Sequence, residues 1–302
     1  MNKIKSPGCN SSGGFSPKAR RVLPVFLGVL LLLISIAAAA FPFISNAYYE
    51  YYNEREADEY LEAVDRAEST TLKDALDRAQ AYNEALAEGG ELPAAYEDVL
   101  NLSGSGLMGY VEIPKLNLSL PISHGADYNT LQTAVGHLPG TALPVGGSGT
   151  HCVLTGHSGM ASKRLFSDLD EMEIGDIFYL NILGERFCYI VDDISVILPY
   201  ELEALSAVPG RDYCTLVTCT PFGVNTHRLL VRGVRTELRD GESGEQVGGE
   251  SKDDTFVAVV GSTWLRKYIT ALMLCFGIAA VIAASIYYYT RRRHGRKRYK
   301  AS

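Results

Sequence analysis

The chain has 302 residues, of which 47% are hydrophobic, 28 are Lys or Arg and 35 are Asp or Glu. That length suits one ordinary domain with additions, or two small ones, and the hydrophobic share excludes a wholly disordered or collagen-like chain. The net charge of −7 is unevenly spread: no Asp or Glu occurs before Glu50 or after Asp254, residues 1–21 hold five basic side chains, and residues 291–302 hold seven. An acidic middle between two basic ends argues against a nucleic-acid binder and for a membrane protein.

In chain order, residues 1–21 form a basic segment that the positive-inside rule assigns to the cytoplasm. Residues 22–45 follow as an uncharged run of 24 residues. At about 1.5 Å rise per residue it exceeds the roughly 30 Å hydrocarbon core, which predicts a transmembrane helix. The alternative is a cleaved signal peptide with Ser45-Asn46-Ala47 at its cleavage site. The run is longer than the ~7–15 apolar residues of such a peptide, which favours a retained anchor.

Residues 46–106 begin with a stretch lacking Gly and Pro, in which Leu72, Ala75, Leu76, Ala79, Tyr82 and Leu86 recur at helical spacing. One or two helices are expected there. From Gly89 to Gly106 the spacing is interrupted by Gly and Pro. Residues 107–238 alternate short β-rich runs with turns, Leu183-Gly184-Glu185 reading as a hairpin. The fold class is therefore mostly β, a barrel or sandwich of about one domain. Residues 239–263 read as a flexible polar linker. Residues 264–290 form a second predicted transmembrane helix flanked by Trp264, Tyr268 and Tyr287–Tyr289, and 291–302 a basic cytoplasmic tail. Both termini then lie in the cytoplasm, and the β domain lies outside the cell membrane.

Chemistry is sought in that exterior domain. Cys152, Cys188, Cys214 and Cys219 lie there, while Cys9 and Cys275 fall in the cytoplasmic segment and the second span. Each exterior Cys has an ordinary reading as a small buried hydrophobe. Among the histidines, His157 stands where the β-run Cys152–Leu154 breaks at Thr155-Gly156. Cys219 stands where another run meets Pro221, which cannot continue a central strand. Arg228 opens the next run. A thiol, an imidazole and a guanidinium at the ends of three β-runs can converge on one site. The Cys is nucleophilic as thiolate, and Arg can hold a developing oxyanion. A core thiol, a turn histidine and a solvated strand-edge arginine are the alternatives.

Thr215–Cys219 (TLVTC), Arg228 downstream and Thr155-Gly156-His157 upstream resemble the active-site signature of sortases, the cysteine transpeptidases of Gram-positive surfaces. The likeness runs from about Met108 to Val234 and includes MGYVEIPKLNLSLPISHG, GHLPGTALPVGGSGTHCVLTGHSG, LFSDLDEMEIGDIFYL and TLVTCTPFGVNTHRLLVRG. With the N-terminal helical extension and the second span, it resembles the pilus-assembling class C branch. The resemblance implies a sortase-like eight-stranded β-barrel and no cofactor or metal. It implies Cys219 as nucleophile on the Thr–Gly bond of an LPxTG-type sorting signal, His157 as acid and base, and Arg228 as oxyanion or substrate holder. The acceptor would be a lysine amine of a pilin subunit; partners would be LPxTG-bearing surface proteins or pilins. Cys152 and Cys214 each lie five residues before a site residue and so face the opposite side of their strands; on neighbouring strands, as in sortases, the two thiols would sit side by side, as separate core thiols or, where the geometry allows, as a bridge.

One departure stands out. Class C sortases commonly carry an Asp-Pro-aromatic lid motif, and Gly89–Gly106 has no Asp-Pro pair, Leu92-Pro93 and Tyr96 being the nearest residues. Its four Gly and two Ser predict a loose stretch and an open site. Other classes fit less well. Gly156-His157-Ser158-Gly159 is one residue short of a serine-hydrolase elbow, and His151, Cys152, His157 and Cys219 lack paired zinc-ligand spacing. A membrane-tethered adhesin or scaffold and a housekeeping sortase acting on cell-wall precursor are the remaining alternatives.

Overall fold

The computed structural model describes residues 17–237 except 159, 161 and 162, together with 269, 270 and 273. The chain divides into two units, Met1–Ile44 and Ser45–Ser302. Helix α1 spans Pro17–Arg66 and α2 spans Ser69–Glu88. The second helix stops at Gly89, whose left-handed backbone (φ 66°) lets its N–H reach the carbonyls of Ala85 and Leu86. The predicted apolar face of α2 is the one that packs: Ala75, Ala79 and Tyr82 are buried, with Leu72, Leu76 and Leu86 against the same core.

The two expected transmembrane helices are not supported. Among the described residues no helix is long and apolar enough to cross a membrane. The run at 22–45 is not a separate element, because α1 joins it to the charged stretch Glu50–Arg66 in one helix. The second predicted span lies outside the described residues but for Ile269, Thr270 and Met273, as do the linker and the basic tail.

The remaining elements are β1 (Leu107–Ile113), β2 (Leu118–His124), α3 (Tyr128–Thr133), β3 (Val135–His137), β4 (Thr150–Thr155), β5 (Ile177–Ile182), β6 (Glu185–Ile197), β7 (Asp212–Thr220) and β8 (His227–Thr236). They close as an eight-stranded barrel in the order β1-β2-β3-β4-β7-β8-β6-β5. Of its eight pairings only β2·β3 and β4·β7 are parallel. The β4·β7 pair needs a long crossover, which leaves room for β5 and β6 between them in sequence. The β5–β6 hairpin turns on Leu183 (φ 52°) and Gly184 (φ 85°), both left-handed, as a two-residue turn matched to strand twist requires.

Hydrogen bonds pin both helices to the barrel. The Tyr60 hydroxyl donates to the Met108 carbonyl and accepts the Leu183 N–H, tying α1 to β1 and the hairpin. Asn83 donates to the carbonyls of Leu143 and Gly146 and accepts the Leu143 N–H. Helices that cover the outside explain why β1 is buried on both faces rather than alternating.

The Gly89–Gly106 stretch corrects the expectation of a loose segment. The Tyr96 hydroxyl lies 2.8 Å from His137 Nδ1, donates to the His137 carbonyl and accepts the Gly125 N–H. His124 places its two ring nitrogens 2.8 Å from the carbonyls of Gly106 and Val99. Val99 and Leu100 are in the core. Burial and specific hydrogen bonds at a few positions outweigh the backbone freedom of the glycines. Among the described residues, no hydrogen bond, ion pair or ring contact joins this stretch to His157, Cys219 or Arg228.

Candidate active site

Three neighbouring strands carry the predicted residues to one end of the barrel. The parallel β4·β7 register pairs Cys152 with Cys214 and continues to Thr155 opposite Val217. Carried two residues further, the same offset sets His157 level with Cys219. On the other side of β7, Cys219 and Arg228 are direct Cα partners in the antiparallel β7·β8 ladder. His157, Cys219 and Arg228 are all half-buried, so reactive atoms at this edge combine partial desolvation with access.

Beyond the end of β4 the chain stays attached to β7. The Gly156 N–H donates to the Val217 carbonyl at 3.0 Å. The Thr218 hydroxyl donates to the Gly156 carbonyl at 2.7 Å, and the Ser158 hydroxyl to the Cys219 carbonyl at 2.6 Å. Behind His157, the Phe166 N–H donates to its carbonyl, and the fully buried Phe166 ring packs against Gly156. A Cβ on Gly156 would lie 2.8 Å from Phe166 Cδ2, so this position needs the absence of a side chain. The following segment is fixed by a buried ion pair, Arg164 to Asp168 at 2.8 Å, and by the Arg164 N–H donating to Asn46.

Arg228 is held at the strand mouth. Its NH1 donates to the carbonyls of Asn225 and His227, and the Val224 and Asn225 N–H groups both donate to the Pro221 carbonyl, tightening the β7–β8 turn. Its Nε and second amino group carry no partner among the described residues. Burial pushes the His157 imidazole below its ordinary value, and the nearby Lys163 cation adds to the effect. A neutral imidazole is the form that can take a proton from a thiol.

Three other residues that entered the sequence reading have structural roles. Cys152 and Cys214 are fully buried free thiols, side by side as expected. Burial, reinforced by Cys152 beside it, raises Cys214 well above its ordinary value. His151 lies 2.7 Å from the Thr215 hydroxyl and 3.0 Å from the Ser206 carbonyl, and so ties β4 to β7 and to the loop before it. The sequence reading missed the parts played by Thr218, Phe166 and Ser158; the last was weighed only as a nucleophile. Thr218 and Ser158 adjoin the motif residues and Phe166 lies nine residues after His157, and none of the three carries a pattern that marks its role in the sequence.

The closed barrel carries a thiol, an imidazole and a guanidinium at the ends of three adjacent strands, the groups that cysteine-based acyl transfer requires. The Sortase domain family model matches residues 111–236. Sortase C1 from Streptococcus agalactiae is 43% identical, covering 61% of this chain and 99% of that one, with a TM-score of 0.58. Clostridium perfringens sortase C, solved with the C-terminal cell wall sorting motif, is 42% identical over 61% of this chain and 99% of its own, at 0.56. Streptococcus pneumoniae sortase C, whose structure concerns catalysis and pilin substrate specificity, is 38% identical over 61% and 97%, at 0.57. The chain belongs to the sortase family, whose members are cysteine transpeptidases. It spans between 47% and 63% of the length of the curated sortases it matches.

Proposed function

We propose that this chain is a membrane-anchored, class C-type transpeptidase that cleaves an LPxTG-type sorting signal between Thr and Gly and joins the acyl group to a lysine amine of a pilin subunit. The observation that carries the reading is the placement of Cys219 opposite Arg228 on β7 and β8, with the His157 turn bonded to the same end of β7.

The chemistry follows from that placement. His157, neutral because burial disfavours its cation, takes the Cys219 proton. The thiolate sulfur attacks the threonyl carbonyl carbon, and Arg228 holds the oxygen as it gains negative charge. On collapse the C–N bond breaks, and His157 returns the proton to the leaving glycyl amine. The lysine amine then attacks the thioester, giving its proton to His157; the C–S bond breaks, and His157 passes that proton to the departing sulfur, restoring the thiol and the neutral imidazole. The sorting motif with which the C. perfringens relative was solved and the pilin substrate specificity named for the S. pneumoniae relative support this substrate class. Exposed apolar side chains next to the site, Val196 before the β6–β7 loop and Phe222 and Val224 in the β7–β8 turn, suit the Leu-Pro part of such a signal.

Anchoring is supported by the exposed Leu33, Ile34, Ile36, Phe41 and Ile44 on α1 and by the basic ends of the sequence. The test of function is cleavage of a fluorogenic peptide carrying LPxTG, with trapping of a thioester on Cys219. Cleavage that persists in Cys219→Ala overturns the reading. The test of anchoring is protease treatment of intact cells, which should degrade the β domain and spare the segment after Arg291.

A further inference from the structure

We infer that Ser158 is a positioning residue for acyl transfer: its hydroxyl and that of Thr218 form a reciprocal clasp that sets the His157 turn against the Cys219 strand. The inference rests on the roles proposed above for His157 and Cys219.

The β4·β7 ladder ends at Thr155 opposite Val217, and the Gly156 N–H to Val217 carbonyl bond is its last main-chain link. His157 lies one residue beyond that link, so the strand ladder alone does not fix its height along β7. Two side chains continue the pairing where the backbone leaves off. Thr218, immediately before Cys219, donates to the carbonyl of Gly156, immediately before His157. Ser158, immediately after His157, donates to the carbonyl of Cys219 itself. Each candidate catalytic residue is thus bracketed by a hydroxyl from its own strand end reaching across to the other. The Thr218 bond is buried and the Ser158 bond partly buried, so water competes poorly for either.

The arrangement has a functional use. Proton transfer between imidazole and thiol needs heavy atoms within about 2.6–3.2 Å, and a displacement of about 1 Å costs roughly 100-fold in rate. Ser158 touches neither substrate nor the reacting atoms. It acts through the Cys219 main chain, which also bears the sulfur.

The test uses the full chain and two readouts: kcat and KM on the fluorogenic LPxTG peptide, and the rate of Cys219 alkylation by iodoacetamide across pH, followed by peptide mass spectrometry. Ser158→Ala should lower kcat by about tenfold or more with little change in KM, and shift the alkylation profile toward that of His157→Ala. Ser158→Thr, which keeps the hydroxyl, should restore both. Thr218→Val should act in the same direction, and the double variant should fall short of the product of the two single losses, because the clasp works as a unit. A Ser158→Ala protein with wild-type kcat and wild-type alkylation profile, alongside an inactive Cys219→Ala and a shifted His157→Ala, overturns the clasp and leaves the functional reading standing. Activity in Cys219→Ala would instead bring down the reading itself.

Discussion

Cys219 and Arg228 are Cα partners across the antiparallel β7·β8 ladder, nine positions apart in sequence and joined by a turn whose carbonyls hold the guanidinium. A thiol and a fixed cation are thereby placed side by side at the ends of two paired strands, which β4 and β6 flank in the closed barrel. Removing either should be felt in chemistry more than in folding. Cys219→Ala should abolish thioester formation and peptide cleavage, and His157→Ala should lower kcat by about 10²–10⁴-fold. Arg228→Lys keeps the charge and loses the planar fork, so a loss of about tenfold or more is expected. Steady-state kinetics with each variant checks the order.

Gly156→Ala is the expected steric lesion. The added methyl would meet the Phe166 ring at 2.8 Å, and that ring is fully buried among core side chains, with no space to yield. Overpacking of this kind costs about 1–3 kcal/mol. Since the Phe166 N–H also holds the His157 carbonyl, the same change should displace the imidazole. A lower melting temperature together with a fall in kcat larger than a stability loss alone would produce is the expected result. Gly156→Ala paired with Phe166→Leu should recover part of both.

Much of this site was legible in the sequence because the spacing encoded the register. Cys152 precedes His157 by five residues and Cys214 precedes Cys219 by five, and the parallel pairing of Cys152 with Cys214 carries that equality into space. The mostly-β class was legible from short β-rich runs, the closed barrel from the likeness to sortases, and the α2 face from helical periodicity. The clasp was not, since a serine or threonine next to a motif residue has no pattern of its own until a strand ladder ends beside it. The order of the Gly89–Gly106 stretch was also hidden. Its anchors, Tyr96 and the carbonyls of Val99 and Gly106, find partners in His137 and His124, far away in sequence. Glycine content reports local freedom and says nothing of such partners. The apolar run at 22–45 was expected to be a transmembrane helix; it is helical, but as part of a 50-residue helix that runs through Pro24 and Pro42 and on into a charged segment, a continuation that hydropathy does not carry.

Stability should fall on mild acidification. His151 is buried with its two ring nitrogens facing the Ser206 carbonyl and the Thr215 hydroxyl, an arrangement that a neutral ring satisfies by donating to the first and accepting from the second. Burial chiefly, with the Arg232 cation, lowers its pKa in the folded protein, and burial does the same for His157. The unfolded chain, with histidine pKa values near 6.5, therefore binds more protons than the folded one below that pH. The stabilisation is fully present above about pH 6.5 and is lost as pH falls through the lowered folded values. Asp212 works in the opposite sense at lower pH, because burial raises its carboxyl pKa. Urea unfolding at pH 7.5 and pH 5.5 should show the loss, and His151→Gln should be less stable at pH 7.5 but flatter across the range. A pH-independent midpoint in the wild type would contradict this account.

Tyr96 is the residue on which the Gly89–Gly106 stretch depends. Its hydroxyl meets His137 Nδ1, the His137 carbonyl and the Gly125 N–H within 3.2 Å, and its ring stands edge-on to His124 at 5.0 Å between centroids. Burial pushes the phenol up to about 12, so it remains a donor at all physiological pH values. Tyr96→Phe keeps the ring contact and strips the polar partners, leaving the Gly125 N–H and the inner nitrogen of His137 without their hydroxyl. A buried group left unsatisfied costs about 1–3 kcal/mol, which sets the expected drop in stability. The stretch should also become the first site of proteolysis, since the carbonyl clamps from His124 would then act without the central anchor. Because the stretch makes no hydrogen bond, ion pair or ring contact with Cys219 among the described residues, the alkylation rate of Cys219 should stay within about twofold of wild type, a change of under ~0.5 kcal/mol. A large acceleration of alkylation in Tyr96→Phe would show instead that the docked stretch governs access to the thiol.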